Sequence, residues 1–318
     1  MAIQTKLGKA FEFACLQSLY NHLLDRQTII IDQTKALNTA KKSFDSANES
    51  IQKDMIKGAD AATRIVLKLE PQLEHPLGNN PLFLSIQEDS AGISGDVRDI
   101  VCLKRQNQWE IGISCKHNHA AVKHSRLSPH IDFGNSWFGI PCSKEYFNDI
   151  NPLFDELTKL KNDGVLWRNI DNKEQRFYIP ILQAFMKELN RLNTANSGII
   201  PSRLLCYVLG KNDFYKVITY DRRKATQVQC FNLYATLNKS SGVSRPLVNV
   251  PKLTMPTRFY DIGFKPGSGN TILVACDNGW TVSMRIHSAR SLVEPSLKFD
   301  IGLIGVPPTL YTQFEPWN

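Results

Sequence analysis

The sequence predicts a mixed α/β protein, and three observations carry that prediction. Apolar residues recur at helical spacing near the N-terminus, two strand-like runs join as a hairpin across residues 99–116, and the chain beyond Ser197 reads as a series of strands. A chain of 318 residues can bury a substantial core, as one large domain or one domain with an appended lobe.

From Lys6 to Leu24, Phe11, Cys15, Leu16, Leu19 and Leu23 recur with helical period, and a short apolar run, Ile29–Ile31, follows. Residues 34–68 are rich in Ala, Lys and Ser and read as a long polar helix, a helical insertion lying largely on the surface. Pro71, Pro76, Gly78, Asn79, Asn80 and Pro81 mark a loop before the apolar Leu82–Ile86. Residues 99–103 and 109–116 are strands joined through the polar 104–108. Helical stretches cover 152–161 and 181–192. Strands are expected over 204–209, 214–220, 227–234, 258–264, 271–276 and 280–286, the last pair flanking the turn Asp277-Asn278-Gly279. No internal repeat is visible. The expected organisation is an α/β core over residues 1–195, followed by a β-rich part over 196–318.

Several classes are disfavoured. The N-terminal stretch places Lys6, Lys9 and Glu12 where a signal peptide would be apolar, and no segment has the length of apolar sequence that a membrane span needs. Seven cysteines, an odd number without a CxxC pair, argue against a disulfide scaffold and a zinc ribbon and fit a reduced cytoplasm. A net charge of +8 suggests an anionic partner but is shared by many enzymes that never touch nucleic acid.

The hairpin holds the chemistry. Period-two alternation puts Trp109, Ile111, Ile113 and Cys115 on a core face and Glu110, Gly112, Ser114 and Lys116 on the other. That second face carries a glycine, a hydroxyl and a lysine, which suit a cleft better than a core. Asp99 stands at the mouth of the partner strand. A carboxylate there can hold Mg²⁺ against a phosphodiester, and a lysine opposite can position or deprotonate the attacking water. Taken alone, the hairpin equally suits a cross-strand Asp–Lys ion pair. Glu110 is too far to share a metal with a group beside Lys116, since six residues of strand span roughly 20 Å. Asp96 is a turn cap or a partner for Arg98.

The pattern Asp99…Ser114-Cys-Lys116 resembles the PD-(D/E)xK nuclease signature, with Ser114 at the second acidic position. This S-x-K form implies a carboxylate recruited from elsewhere. Gly8-Lys-Ala-Phe-Glu12 resembles the first helix of that superfamily, which makes Glu12 the first candidate and pairs it with Asp99 as metal ligand. Longer strings are similar to the HaeIII family of type II restriction endonucleases: Ser94–Val101, Glu110–His119, Val122–Ser128, Leu205–Ile218 and Pro307–Trp317. The resemblance runs along most of the chain. It implies a mixed-sheet PD-(D/E)xK core flanked by helices, Mg²⁺-dependent cleavage of double-stranded DNA at the palindrome GGCC, and a cognate DNA methyltransferase. A palindrome suits a homodimer, although a monomer could cut the strands in turn. A structure-specific repair or recombination nuclease and a non-catalytic DNA-binding protein remain the alternatives.

Two segments are suited to DNA. Residues 116–126, read as a loop entering a helix, carry His117, His119, Lys123, His124 and Arg126 after Lys116, with no acid among them. Residues 222–260 also lack Asp and Glu and hold Arg222, Arg223, Lys224, Arg245 and Arg258 among interleaved Asn and Gln, a composition fit for backbone contact and base reading.

Overall fold

A computed structural model describes residues 3–74, 80–88, 95–118 and 123–318. In chain order the strands are β1 (Ile29–Ile31), β2 (Leu82–Ile86), β3 (Ile100–Lys104), β4 (Trp109–His117), β5 (Lys123–Leu127) and β6 (Phe214–Tyr220). They continue with β7 (Ala225–Phe231), β8 (Phe259–Phe264), β9 (Thr271–Cys276), β10 (Thr281–His287), β11 (Leu297–Gly305) and β12 (Thr312–Pro316). The helices are α1 (Ile3–Leu23), α2 (Lys35–Asp45), α3 (Glu49–Leu69), the single turn α4 (Pro71–Glu74), α5 (Lys144–Asn162), α6 (Ile179–Ala195) and α7 (Ile200–Leu209).

The chain forms two compact units, each discontinuous in sequence: Met1–Ala120 with Lys211–Leu253 and Thr309–Asn318, and Ala121–Gly210 with Thr254–Pro308. The expected division near residue 195 does not coincide with this one, because β6, β7 and β12 pair in the same sheet as β4.

The first unit is built on a seven-stranded sheet in the order β1-β2-β3-β4-β6-β7-β12. The β1–β2 and β4–β6 pairs are parallel and the others antiparallel, so the sheet is mixed. One core joins Phe11, Leu16 and Leu19 of α1 and Ile65 and Val66 of α3 to Ile100, Ile111, Ile113, Cys115 and Val217 of the sheet. The N-terminal helix and the core face of β4 thus follow the sequence pattern.

The stretch 34–68 departs from expectation in two ways. It is two helices, because the Asn48 side chain accepts from Ile51 N at 2.9 Å and starts α3 anew. Nor is α3 a surface insertion. Its Gly58, Ala59, Ala61 and Ala62 are buried, and small residues let a helix approach its neighbours closely. A Cβ on Gly58 would lie 2.7 Å from Thr219 Cγ2, and Thr226 Oγ1 donates to Gly58 O at 2.8 Å. Low hydrophobicity here reflects close packing.

The second unit pairs β5-β11-β10-β9-β8 in an antiparallel sheet. Phe133, Trp137, Phe185 and Phe299 of this unit form one aromatic cluster. Residues 204–209 are helix α7, with Pro201 in its first turn, rather than a strand. A short apolar run does not by itself distinguish the two. The basic stretch after Lys116 does not enter a helix, since residues 123–127 are β5.

Gly112 has a packing reason. A Cβ there would fall 1.8 Å from Arg98 Cδ. Arg98 is held by Asp96 (Nη2 to Oδ2, 2.7 Å) and by Glu110 (Nη1 to Oε1, 2.8 Å), so it cannot simply swing aside. Gly112→Ala is therefore expected to destabilise the protein by about 1–3 kcal/mol, read as a lower midpoint in denaturant unfolding.

Candidate active site

Asp99 immediately precedes β3, and its backbone extends the ladder on both sides: Asp99 N donates to Ile113 O at 2.8 Å and Gln87 N to Asp99 O at 3.0 Å. This registration aims the carboxylate at the end of β4. Its Oδ2 accepts from Ser114 Oγ at 3.2 Å, from the backbone N–H of Cys115 at 2.6 Å and from Lys116 Nζ at 3.3 Å. The three residues of the S-x-K string thus all converge on one carboxylate oxygen. Among the described residues Oδ1 receives no donor.

Burial pulls the Lys116 ammonium down, but Asp99 beside it, with Glu12 adding to the effect, more than offsets this and holds its pKa above the usual lysine value. Lys116 is a cation as it stands here.

Glu12 lies in α1 and is only 6% exposed, so it is not a solvated helix residue. Lys9 Nζ donates to its Oε2 at 3.1 Å. Burial, and then the like charge of Asp99, push its pKa up to about 8, while Lys9 and Lys116 pull the other way. The mutual influence of Glu12, Asp99 and Lys116 places them in one electrostatic cluster.

Among the described residues no three His, Cys, Asp or Glu side chains gather as a ready metal cage. That does not disfavour a magnesium-like ion, which keeps several waters and takes one or two carboxylates together with substrate phosphate. The donor chemistry fits: Glu12, buried and facing the like charge of Asp99, would gain from a divalent cation held by the two carboxylates.

Sequence reasoning missed Lys216. In the β4–β6 register it stands directly beside Ser114, so it shares a row and a face with Asp99 and Ser114. It is 4% exposed, and burial plus the neighbouring Lys116 charge push its pKa down to about 7. The lysine was visible inside an apolar strand, but only the register reveals its neighbour.

The expected DNA-contacting residues are dispersed. His117 lies in β4 with Nε2 3.1 Å from Asp221 Oδ2 and its ring against Phe11. His119 falls outside the described residues. Lys123, His124 and Arg126 belong to β5 of the second unit, where each has a protein partner: Tyr207, Asp300 and Ser296 respectively. Arg222 and Arg223 are exposed in the β6–β7 turn, which Asn118 ties to the end of β4 through Asp221. They therefore lie at the Lys116 end of the sheet. Lys224 is paired with Asp54 at 2.6 Å.

Arg245 lies elsewhere. Its irregular segment is tied to α3 through Leu247 N to Lys68 O and Asn238 Nδ2 to Leu69 O, near the start of β6. Arg258, in the second unit, stacks over Tyr260. Asp96 does partner Arg98, and Glu110 is held by the same guanidinium.

The Glu12 environment has a measurable consequence. Between the ordinary carboxylate value of 4.5 and about 8, the folded chain retains a proton that the unfolded chain has released. Stability from this group therefore falls as pH rises through that window and levels off above it. Glu12→Gln removes the decline. In thermal unfolding without divalent cations, its midpoint should gain on wild type between about pH 5 and about pH 9, and a constant difference would contradict the assignment.

A family model described as the HaeIII restriction endonuclease matches residues 8–307. The chain is 43% identical over 311 residues to the type II restriction enzyme HaeIII of Haemophilus aegyptius, covering 98% of this chain and 97% of that protein. No solved structure matches the chain.

Proposed function

The chain belongs to the HaeIII restriction endonuclease family and is a type II restriction endonuclease, and from that premise we propose that it cleaves double-stranded DNA at GGCC in a Mg²⁺-dependent reaction centred on Asp99, Glu12 and Lys116. The observation that supports this centre most directly is the convergence of Ser114, Cys115 N–H and Lys116 on Asp99 Oδ2. The arrangement fits a PD-(D/E)xK core whose second acid comes from helix α1.

In this reading Asp99, whose Oδ2 is held by three donors, would be one of the carboxylates that hold the metal. Glu12 supplies the second carboxylate from the opposite element. Mg²⁺, when bound, supplies Lewis-acid polarisation of the phosphate and a more acidic water. Lys116, held protonated beside Asp99, orients the attacking water and offsets charge building on the phosphate oxygens. Ser114 keeps the Asp99 carboxylate in its rotamer. Arg222 and Arg223, at the Lys116 end of the sheet, contact backbone phosphates of the bound duplex.

A two-fold palindrome suits a homodimer, and a methyltransferase modifying the same sequence would protect the host's own DNA.

Wild type incubated with plasmid and Mg²⁺ should give discrete fragments whose ends map to GGCC. Nicking without sequence preference, or cutting confined to branched or flapped DNA, would refute the reading. Lys116→Ala and Asp99→Asn should each slow single-turnover cleavage by on the order of 10²-fold or more while leaving DNA affinity within a few-fold.

A further inference from the structure

The second unit contains a groove of about 660 Å³ between residues 166–173 and 288–291. Its walls are tied together. Trp167 N donates to Ser291 O at 2.9 Å, Val293 N donates to Val165 O at 3.0 Å, and Leu166 bridges Leu292. Arg168, Lys173 and Arg290 line it, and no carboxylate is among the lining residues.

Arg290 Nε is 3.2 Å from Glu294, whereas Arg168 and Lys173 have no ion-pair partner among the described residues. The indole N–H of Trp167, also in the lining, is a buried donor without an acceptor among the described residues. The groove offers three cations and the hydroxyls of Ser288 and Ser291, and its lining supplies no negative charge. The contrast with a cavity of about 380 Å³ in the first unit is informative. There Arg98, Lys211 and Lys239 are accompanied by Glu110 and Asp213, so the charges largely cancel.

We propose that the Arg168–Lys173–Arg290 groove binds the sugar–phosphate backbone of the DNA substrate, without reading bases. DNA presents phosphates in a row, which suits three cations spread along a groove better than a single small anion does. From the family assignment the proposal takes only that the substrate is DNA. None of these residues belongs to the cleavage centre, so the groove can fail to bind DNA while that centre stands.

The test is equilibrium binding of fluorescent duplexes over a salt series without divalent cations. It compares wild type, the triple variant Arg168→Ala/Lys173→Ala/Arg290→Ala, and Lys159→Ala, which removes an exposed cation on α5 outside the groove lining. The triple variant should bind about tenfold or more weaker. Its slope of log K against log salt should fall by about 0.9 for each phosphate that the groove no longer neutralises, equally for duplexes with and without GGCC. Its single-turnover cleavage rate at saturating DNA should match wild type.

Affinity and slope indistinguishable from Lys159→Ala would overturn the proposal, even if the groove took up inorganic phosphate. Weakening confined to the GGCC duplex, or slower cleavage without weaker binding, would overturn it too. Should the triple variant fail to fold, Arg290→Glu at its exposed position asks the same question, with a larger fall expected from charge reversal.

Discussion

The proposed cleavage centre depends on one registration, that of Asp99 against the end of β4. The ladder bonds of Asp99 fix its backbone, and the three donors on Oδ2 fix its carboxylate. A one-residue slip of β3 on β4 would send every side chain to the other face and separate the carboxylate from Ser114 and Lys116. Register is held where slipping is most costly: Ile100, Cys102, Ile111 and Ile113 are buried on the core face. On the opposite face of the hairpin, Arg98 lies across Gly112 between Asp96 and Glu110. The ion-pair cluster and the core therefore serve the same alignment.

Around that fixed point the electrostatics are held under tension. Glu12 is buried beside another carboxylate, and Lys216 is buried beside another lysine. Each is disfavoured in its charged form by burial and by a like neighbour. Such groups destabilise the free protein modestly, and a cation or a phosphate placed beside them would lower their energy. This is the behaviour expected of a preorganised site, where strain at the chemistry is tolerated because the surrounding core is extensive.

Basic residues have unequal standing once placed in the fold. Lys224 is neutralised by Asp54, the His124 ring is hydrogen-bonded to Asp300, and Lys123 is turned onto Tyr207. Positive charge that a linear reading counts toward DNA is in these cases occupied within the protein. Arg168 and Lys173 show the reverse: they have no ion-pair partner among the described residues and are gathered with Arg290 by a short β contact. Net charge measures neither situation, because what a polyanion meets is the unpaired local density.

The sequence by itself determined the mixed α/β class, the hairpin, the division of β4 into a core face and a polar face, the Asp99/Lys116 pair and the family. These are local properties, carried by period-two alternation, turn residues and motif spacing. Strand rise alone also set Glu110 apart from Lys116. Tertiary structure decided the rest, for reasons that are non-local. The surface-like composition of α3 concealed a helix packed on β6 and β7, because small residues lower hydrophobicity while allowing close approach. The helix over residues 204–209 was not legible, because a short apolar run suits a buried helix and a buried strand alike. Lys216 joined Asp99 and Ser114 only through the parallel pairing of β4 with β6, strands about a hundred residues apart. Glu12, legible as a candidate, became a buried partner of Asp99 only when α1 packed against the sheet.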